Sequence, residues 1–256
     1  FIASPFMGLF GPEGGMPDAA QENARQDGVL VQRQGSREWI PVIYGYRKVG
    51  GKIIFAETGS DNNQYLWVSY VFSEGPVEGI NEVWLDDNQL STTVVQQLNA
   101  GQTVEVADAK YASRVRLQWF PGVYFSTPSD SPIGTLSICK DAPSWTNKML
   151  YNGCAVLFAR YTWKQIVTQE DANSNPFSGN IPQVQLSLMG KKVASLRTGA
   201  GSENTEYQAA GYLERYSTNP AEILLDYLRN PRYGKGLKNS DIDWDSFYIA
   251  AAKCNQ

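Results

Sequence analysis

Carboxylates are the only acid–base groups with which this sequence could do catalysis, because it contains no histidine. That absence excludes Ser-His-Asp and Cys-His catalysis and every metal site built on imidazole. Acidic pairs occur in two turns, Glu74 with Glu78 and Asp86 with Asp87. A glycosidase needs two carboxyls about 5–10 Å apart across a cleft, but turns use the same residue types for local hydrogen bonds. We interpret both pairs as turn residues and predict no catalytic site.

Asp241, Asp243 and Asp245 alternate in a pattern similar to a calcium-binding loop. Such a loop needs glycine at its sixth position and glutamate at its twelfth. Ser246 and Ala252 stand at those positions. We therefore interpret the aspartates as helix-capping residues, and we expect no metal and no cofactor.

The glycines near residue 50 resemble a phosphate-binding loop but have the wrong spacing. Five residues separate Gly45 from Gly51, where the motif needs four, and Ile53 replaces the magnesium-binding Ser or Thr. The sequence therefore does not predict nucleotide binding. We expect Gly45, Gly50 and Gly51 to make a hairpin turn.

Three cysteines, Cys139, Cys154 and Cys254, lie far apart and form no CxxC motif. Buried free thiols from a reducing compartment are the favoured interpretation, with one disulfide as the alternative. The seven tryptophans could form a sugar-binding platform. Such residues more often fill cores and interfaces, and we expect that use here.

The composition favours a β-rich globular protein that does not bind nucleic acid through charge. The formal net charge is −4 and the pI about 5.0, whereas nucleic-acid-binding domains are usually basic. A hydrophobic share of 42% in 256 residues allows one large or two modest domains. Aromatic residues reach 12%, and Val and Thr are frequent in the middle, which is typical of β-structure.

Short apolar runs predict the strands that would position these residues. The run at 64–75 is apolar on one face and mixed on the other, so we expect a strand buried on both sides or at an interface. Residues 184–196 are expected to form two strands around a Gly-Lys turn, and residues 1–26 an arm or linker. The other predicted strands lie at 28–34, 39–45, 80–85, 115–125 and 154–163.

Two helices with a glycine- and proline-rich loop between them are predicted at the end of the sequence. Asn219 is the predicted cap of the first helix, with Pro220 at its first position and Glu222 three residues after the cap. The helix should end at Asn230, because the residue before a proline disfavours helical geometry. Its predicted apolar stripe consists of Ile223, Leu224, Tyr227 and Leu228.

Ser240 or Asp243 is expected to cap the second helix. Its buried stripe is predicted to contain Trp244, Phe247, Tyr248 and Ala251. The loop between the helices presents Arg232 and Tyr233. Two roles remain open for these residues, contact with a neighbouring subunit or attachment to a carboxylate of the same domain.

Three stretches of the sequence resemble the tail-tip hub family of long-tailed bacteriophages, the family of host-specificity protein J and the central tail fibre or baseplate hub. The first stretch matches at Tyr44, Gly45, Arg47, Val49, Gly50 and Gly51. The second matches at Ser73, Glu74, Gly75, Pro76, Glu78 and Gly79. The third matches at Asp226, Leu228, Pro231, Arg232, Tyr233, Gly234, Gly236, Asp241, Asp243 and Cys254.

The resemblance implies a mainly β fold with a helical C-terminal segment. Residues 27–197 would form a hub domain of the β-barrel or sandwich type, with a short insertion around 91–149. Residues 198–256 would be a linker and a helix–loop–helix that begins the next hub domain.

The resemblance also implies a structural role without enzymatic activity or a small-molecule substrate. We expect a homotrimer at the virion tail tip, assembled in the host cytoplasm, that closes the tail tube and links it to the host-attachment apparatus. The expected partners are the distal tail protein, the tape-measure protein and other tail-tip proteins, with DNA only in transit through a channel. The alternative hypothesis is a carbohydrate-binding or carbohydrate-active β-protein that uses aromatic residues and paired carboxylates.

Overall fold

The structure is a computed structural model that describes residues 39–59, 64–111, 114–163, 176–177, 181–196 and 214–254. The predicted N-terminal arm at 1–26, the predicted strand at 28–34 and the start of the predicted linker lie outside the described residues. The strands are β1 (Tyr46–Gly50), β2 (Lys52–Gly59), β3 (Tyr65–Glu74), β4 (Val77–Leu85), β5 (Asn88–Gln89), β6 (Thr103–Glu105), β7 (Val115–Pro121), β8 (Cys154–Thr162), β9 (Val184–Ala194) and β10 (Glu214–Tyr216). The helices are α1 (Thr92–Asn99), α2 (Ile133–Leu136), α3 (Pro220–Arg229) and α4 (Trp244–Cys254), with short 3₁₀ helices at Pro128–Asp130, Ile138–Asp141 and Asn239–Asp241.

Two five-stranded sheets form the body of the molecule. The first sheet has the order β1-β9-β4-β5, with β10 also paired to β9, and the second has the order β2-β3-β8-β7-β6. Side chains from β3, β7 and β8 share one buried cluster with side chains from β4 and β9. Aliphatic residues such as Leu157 and Leu186 dominate this core, as expected for two packed sheets. The expected fold class, mainly β with C-terminal helices, is confirmed.

β3 lies inside the second sheet and is buried on both faces, as its sequence predicts. All of its residues except Tyr65 are buried. One face belongs to the core between the sheets, and the other contributes Trp67 and Val71 to a second cluster. The segment from Ile133 to Tyr151 covers that cluster with Cys139 and Ala142 among its buried residues.

The segment at 91–149, which the sequence analysis assigns to a short insertion, contributes to both clusters. α1 packs Val94 and Leu98 into the core between the sheets, and β7 is a strand of the second sheet. Residues after β7 form the outer cover described above. This part of the chain therefore completes the sandwich.

The predicted hairpin turn at the glycines near residue 50 is wrong. β1 pairs with β9 and β2 pairs with β3, so the two consecutive strands belong to different sheets. Gly51 lies between them, where an added Cβ would be 2.7 Å from Cζ of Phe72. The chain changes sheets at this point because glycine lets the backbone pass directly over that ring.

β9 is also longer than its sequence suggests. It runs without a turn through Gly190 and Lys191, where the sequence predicts a hairpin, because Gly190 is paired to the backbone of Gly45. Residues 39–45, which the sequence predicts to be a strand, do not form one. The predicted turn at Asp86 and Asp87 is confirmed, with φ angles of 44° and 67°.

The C-terminal helices form a third cluster of their own. It contains Leu196, Ala221, Leu225, Trp244 and Ala251. No helix within the described residues is long and apolar enough to cross a membrane.

Candidate functional site

The three stretches that resemble the hub family converge in the folded chain on one contact between the sandwich and the C-terminal helices. We call this contact the junction and define it by the side chains of Tyr44, Glu74, Tyr124, Lys191, Asp226, Arg232 and Tyr233. Tyr44 belongs to the first stretch, Glu74 to the second, and Asp226, Arg232 and Tyr233 to the third. Tyr124 follows β7 and comes from none of them.

Backbone hydrogen bonds hold the chain before β1 in place, so Tyr44 has a fixed position. The amide of Glu74 donates to the carbonyl of Pro41 over 2.8 Å, and the amide of Lys191 donates to the carbonyl of Ile43 over 2.7 Å. Gly45 then has φ +62°, a backbone conformation that glycine adopts at little cost. The segment is thus fixed between the ends of β3 and β9, although it is not itself a strand.

Glu74 is a buried carboxylate at the end of β3, with 6% of its surface exposed. The hydroxyl of Tyr124 donates to its Oε1 over 2.7 Å, and Nε of Arg232 lies 3.3 Å from its Oε2. Buried charges are stable only when they are paired and hydrogen-bonded, which this carboxylate is. Of the two roles left open for Arg232, the structure shows the contact within the same chain.

Asp226, in α3, receives two tyrosine hydroxyls on one carboxylate oxygen. Tyr233 donates to its Oδ2 over 2.6 Å, and Tyr44 forms a short hydrogen bond to the same atom. Burial and the Asp226 carboxylate raise the pKa of both phenols well above 10. Burial and Glu74 likewise raise the pKa of Tyr124. All three tyrosines are therefore protonated donors at neutral pH.

The loop after α3 folds back on the last turn of that helix, which places Arg232 and Tyr233. Lys235 and Leu237 donate their amides to the carbonyls of Tyr227 and Leu228, over 3.1 and 2.9 Å. These carbonyls belong to the last turn of the helix, where the carbonyl groups have no N–H donors within the helix. An added Cβ at Gly234 would lie only 1.7 Å from the carbonyl oxygen of Tyr227. The glycine is thus required by the close approach of loop and helix.

The start of α3 is attached to the end of β9 by a second buried carboxylate. Glu222 is fully buried and accepts hydrogen bonds from the amide of Leu196, over 2.9 Å, and from the hydroxyl of Ser217. Asn219 caps the helix as predicted, accepting from the amide of Ala221 over 2.9 Å, and donates to the carbonyl of Ala251 in α4. Both ends of α3 are therefore fixed, one by Glu222 and the other by the junction.

Lys191 adds a cation to the junction. It is buried, and its Nζ lies 5.3 Å from the ring centroid of Tyr233 and 5.9 Å from that of Tyr124. These distances are within the range of cation–π attraction. The junction thus contains two carboxylates, two cations and three protonated phenols in mutual contact. Each carboxylate of the junction already has a tyrosine or arginine partner. The geometry of the junction is therefore that of a structural contact between the sandwich and the helices.

Several other residues of the matching stretches lie outside the junction. Arg47 is exposed on β1, and Glu78 pairs with Lys192 over 3.2 Å. Gly79 faces Asn99, whose side chain exchanges two hydrogen bonds with the backbone of Ile80. Other positions have backbone roles, namely Gly50 at the end of β1, Gly75 against the carbonyl of Pro121, Pro76 as acceptor for Lys192, Pro231 at the start of the loop, and Gly236 with φ +65°.

Sequence reasoning did not identify Tyr124 or Lys191 as site residues. Tyr124 follows an apolar strand and a Pro-Gly pair, and Lys191 lies in a predicted turn. Their place in the junction depends on which strands are neighbours, and no local pattern contains that information.

The acidic run before α4 serves as helix caps, as predicted. Asp243 accepts from the amide and the hydroxyl of Ser246, over 3.2 and 2.6 Å, and these hydrogen bonds lower the pKa of its carboxyl. Asp241 accepts from the amide of Lys238. In the described part of the chain, no three Cys, Asp or Glu side chains lie close enough to hold a metal ion.

All three cysteines are free thiols, as the favoured interpretation predicts, but they are not all buried. Cys139 is buried, Cys154 is half-buried and Cys254 is exposed. Burial raises the pKa of the Cys139 thiol to about 12.

The tryptophans mostly lie in the core, and Trp39 is the only one that is largely exposed.

The chain has a clear sequence relative among characterised proteins. It is 36% identical to the baseplate hub protein pb3 of Escherichia phage T5 over 242 residues, which include 82% of this chain and 23% of the phage protein. The chain thus spans less than a quarter of the length of that relative. No family model matches the sequence.

Among solved structures, a chain from the virion of a native gene transfer agent particle aligns with 94% of this chain and 60% of its own length. The TM-score is 0.40 and the sequence identity 12%. A similarity this low does not identify the fold.

Proposed function

We propose that this chain is a structural part of a phage baseplate or tail-tip hub. The similarity to the phage T5 hub protein supports this proposal most directly, since it extends over most of the chain. In the proposed role the chain belongs to the virion tail tip, is assembled in the host cytoplasm, and has no catalytic function.

The geometry of the junction supports a structural role. A hub subunit must keep its parts in fixed relative positions while neighbouring proteins pull on it. A partly buried hydrogen-bonded network in which every carboxylate has a partner makes a specific connection between two packed units. The junction connects the sandwich to the helix–loop–helix in this way.

The proposed assembly is a homotrimer that closes the tail tube and leaves a channel for DNA. The outer surface of α3 and α4, which we call the helical pair, supports a contact between subunits at these helices. Leu224 and Tyr227, which the sequence places on the apolar stripe of α3, are 49% and 39% exposed, and Tyr248 and Ile249 of α4 are 43% and 54% exposed. Apolar and aromatic residues of this kind are enriched at the centres of protein interfaces.

The proposed partners beyond the trimer are the distal tail protein, the tape-measure protein and other tail-tip proteins. The test is co-expression of this chain with each of these proteins from the same phage, followed by size-exclusion chromatography. We expect a stable complex with the distal tail protein. The proposal would be wrong if the chain remained separate from every tail protein and antibodies against it failed to label the tail end of the virions.

The carbohydrate-binding alternative has no supporting observation in the described part of the structure. It requires a cleft with exposed aromatic residues and two convergent free carboxylates. Trp39 has no exposed tryptophan partner, and the best-placed carboxylates, Glu74 and Asp226, are engaged by tyrosine hydroxyls. The hub role therefore remains the single proposal.

A further inference from the structure

A cationic cavity lies on the outer face of the second sheet, away from the junction. Its volume is about 350 Å³, and its polar walls include Arg116, Arg160, Lys140 and Asp141. Leu136 and Ile138 form an apolar wall. Three cations and one carboxylate thus face one space, in a chain whose net charge is negative.

The two arginines are direct neighbours in the sheet. Arg116 on β7 is the register partner of Arg160 on β8, so their side chains leave the sheet on the same face. Like charges directly opposite each other in an antiparallel pair are destabilising. On its other side Arg116 is opposite Glu105 of β6, yet no ion pair forms between them in the described structure.

Each of the two guanidinium groups has a buried Nε–H that lacks an acceptor in the described part of the chain. Within the described residues, Nε of Arg116 and Nε of Arg160 are buried and have no hydrogen-bond partner. The guanidinium carbon of Arg160 lies 4.7 Å from the ring centroid of Tyr65, which fixes its orientation. Buried donors without acceptors are rare in folded proteins and need an explanation. The terminal Nη groups of both arginines are outside this set of buried atoms and belong to side chains that line the cavity, so a bound anion could accept from them and relieve the repulsion between the arginines.

We propose that this cavity, independently of the hub role, is a binding site for a carboxylate ligand. The guanidinium edge matches the two oxygens of a carboxylate in a planar, bidentate geometry. Leu136 and Ile138 offer contacts to the short aliphatic chain that a carboxylate carries. The cavity volume falls within the range of small-ligand sites. The ligand is either a free carboxylic acid or a glutamate side chain from another protein chain, and both present the same chemistry.

The test follows the arginine Nε–H signals of the ¹⁵N-labelled chain by NMR during titration with succinate. Capped Ala-Glu-Ala and Ala-Gln-Ala tripeptides and inorganic phosphate are titrated in parallel. We expect succinate to shift the signals of Arg116 and Arg160. A response to the Glu peptide but not the Gln peptide would assign a protein side chain as the source. A response to succinate alone would assign a free acid.

Variants inside and outside the cavity distinguish succinate binding at this site from a general attraction by positive charge. Arg116→Gln should weaken succinate binding by about tenfold or more, the loss of one charge-assisted bidentate contact. Lys140→Gln, at an exposed position, should weaken it by about threefold, and Lys148→Gln, an exposed lysine outside the cavity, should leave it unchanged. Without ligand, Arg116→Gln should fold and unfold at the same or a higher temperature, because it removes the repulsion.

The proposal would be overturned by the absence of any shift with succinate and the Glu peptide. It would also be overturned if phosphate shifted the two signals and neither carboxylate did. An equal loss of affinity in Lys148→Gln would mean that net charge, and no defined site, attracts the anion.

Discussion

At the residue scale, two carboxylates connect the sandwich to the C-terminal helices. Asp226 receives the hydroxyls of Tyr44 and Tyr233, and Glu74 receives Tyr124 and Arg232. Removing a buried hydrogen-bond partner costs more than the bond contributes, because the group left behind stays desolvated. The junction should therefore respond strongly to single substitutions.

Asp226→Ala should lower the free energy of unfolding by about 1–3 kcal/mol, since two half-buried phenols lose their acceptor. Denaturant unfolding measures this loss. Asp245→Ala is a matched control in α4, where the exposed aspartate contributes only its favourable position in the first helical turn, less than about 1 kcal/mol.

A double-mutant cycle checks the assignment to one network. Tyr233→Phe and Asp226→Ala remove the same hydrogen bond, so the cost of the double variant should be smaller than the sum of the single costs. Fully additive costs would contradict a shared hydrogen bond.

The tyrosines also predict how stability depends on pH. Burial and the neighbouring carboxylates raise the pKa of Tyr44, Tyr124 and Tyr233 in the folded state. A raised folded pKa means that the stabilisation is fully present below the unfolded value of about 10 and is lost as the pH rises above it. The free energy of unfolding should thus fall as the pH increases beyond about 10.

Tyr233→Phe provides the comparison for this pH effect. Between about pH 10 and 11, its unfolding free energy should fall less steeply than that of the unchanged chain, by the slope that corresponds to about one proton. Parallel curves for the two proteins would show that Tyr233 titrates in the folded state as it does in the unfolded chain.

At the element scale, two glycines determine the conformation of the loop between α3 and α4, each for a different reason. Gly236 has a positive φ, whereas Gly234 is needed because the carbonyl of Tyr227 lies where a Cβ would be. The loop in turn supplies both Arg232 and Tyr233 to the junction. Changes in the loop should therefore weaken the contact between the helices and the sandwich.

Gly234→Ala should lower the free energy of unfolding by at least about 2 kcal/mol, because the new methyl group would overlap backbone that cannot give way. Gly101→Ala is the comparison, since Gly101 has φ +75° but nothing within 4 Å of an added Cβ. It should cost only the strain of a left-handed residue, about 1–2 kcal/mol. The order of the two costs would be reversed if the close approach at Gly234 were absent.

The sequence patterns predicted individual helices and strands better than they predicted which residues those elements pack against. The caps at Asn219 and Asp243 and the buried strand β3 follow from local chemistry, and the structure contains them. The packing face of α3 does not follow from hydrophobicity, because the helix buries Glu222 and leaves Leu224 exposed. The buried glutamate accepts hydrogen bonds from Leu196 and Ser217, among others, and the pattern of the helix sequence does not show that these donors are nearby. Tyr248, which the sequence predicts to be buried on α4, is 43% exposed.

At the scale of the whole molecule, the resemblance of three separated stretches had no structural explanation until the fold brought them together. Their residues are distributed from Tyr44 to Cys254, and the sequence showed only that each stretch has turn-forming glycines. The pairing of β9 with both β1 and β4 brings the first two stretches together, and α3 adds the third. Sheet order is a long-range property, which explains why the hairpin prediction near Gly50 was wrong.

The exposed apolar residues of the helical pair lead to a prediction about assembly. Leu224→Asp should dissociate the proposed trimer while the monomer remains folded, because a charge at an interface must lose its hydration on association. Light scattering follows the mass, and circular dichroism follows the fold. Ile54→Asp is the matched control, since this isoleucine is 46% exposed and lies on β2, outside the helical pair. It should leave the mass unchanged, and an equal effect of both variants would contradict a contact at the helices.

The most direct test of the hub proposal is the mass of the purified, unmodified chain in solution by native mass spectrometry. The proposed hub predicts a species of three times the 28.4 kDa chain mass, either alone or together with the distal tail protein. A chain that stays at 28.4 kDa at all concentrations and with every tail protein would contradict the trimeric hub.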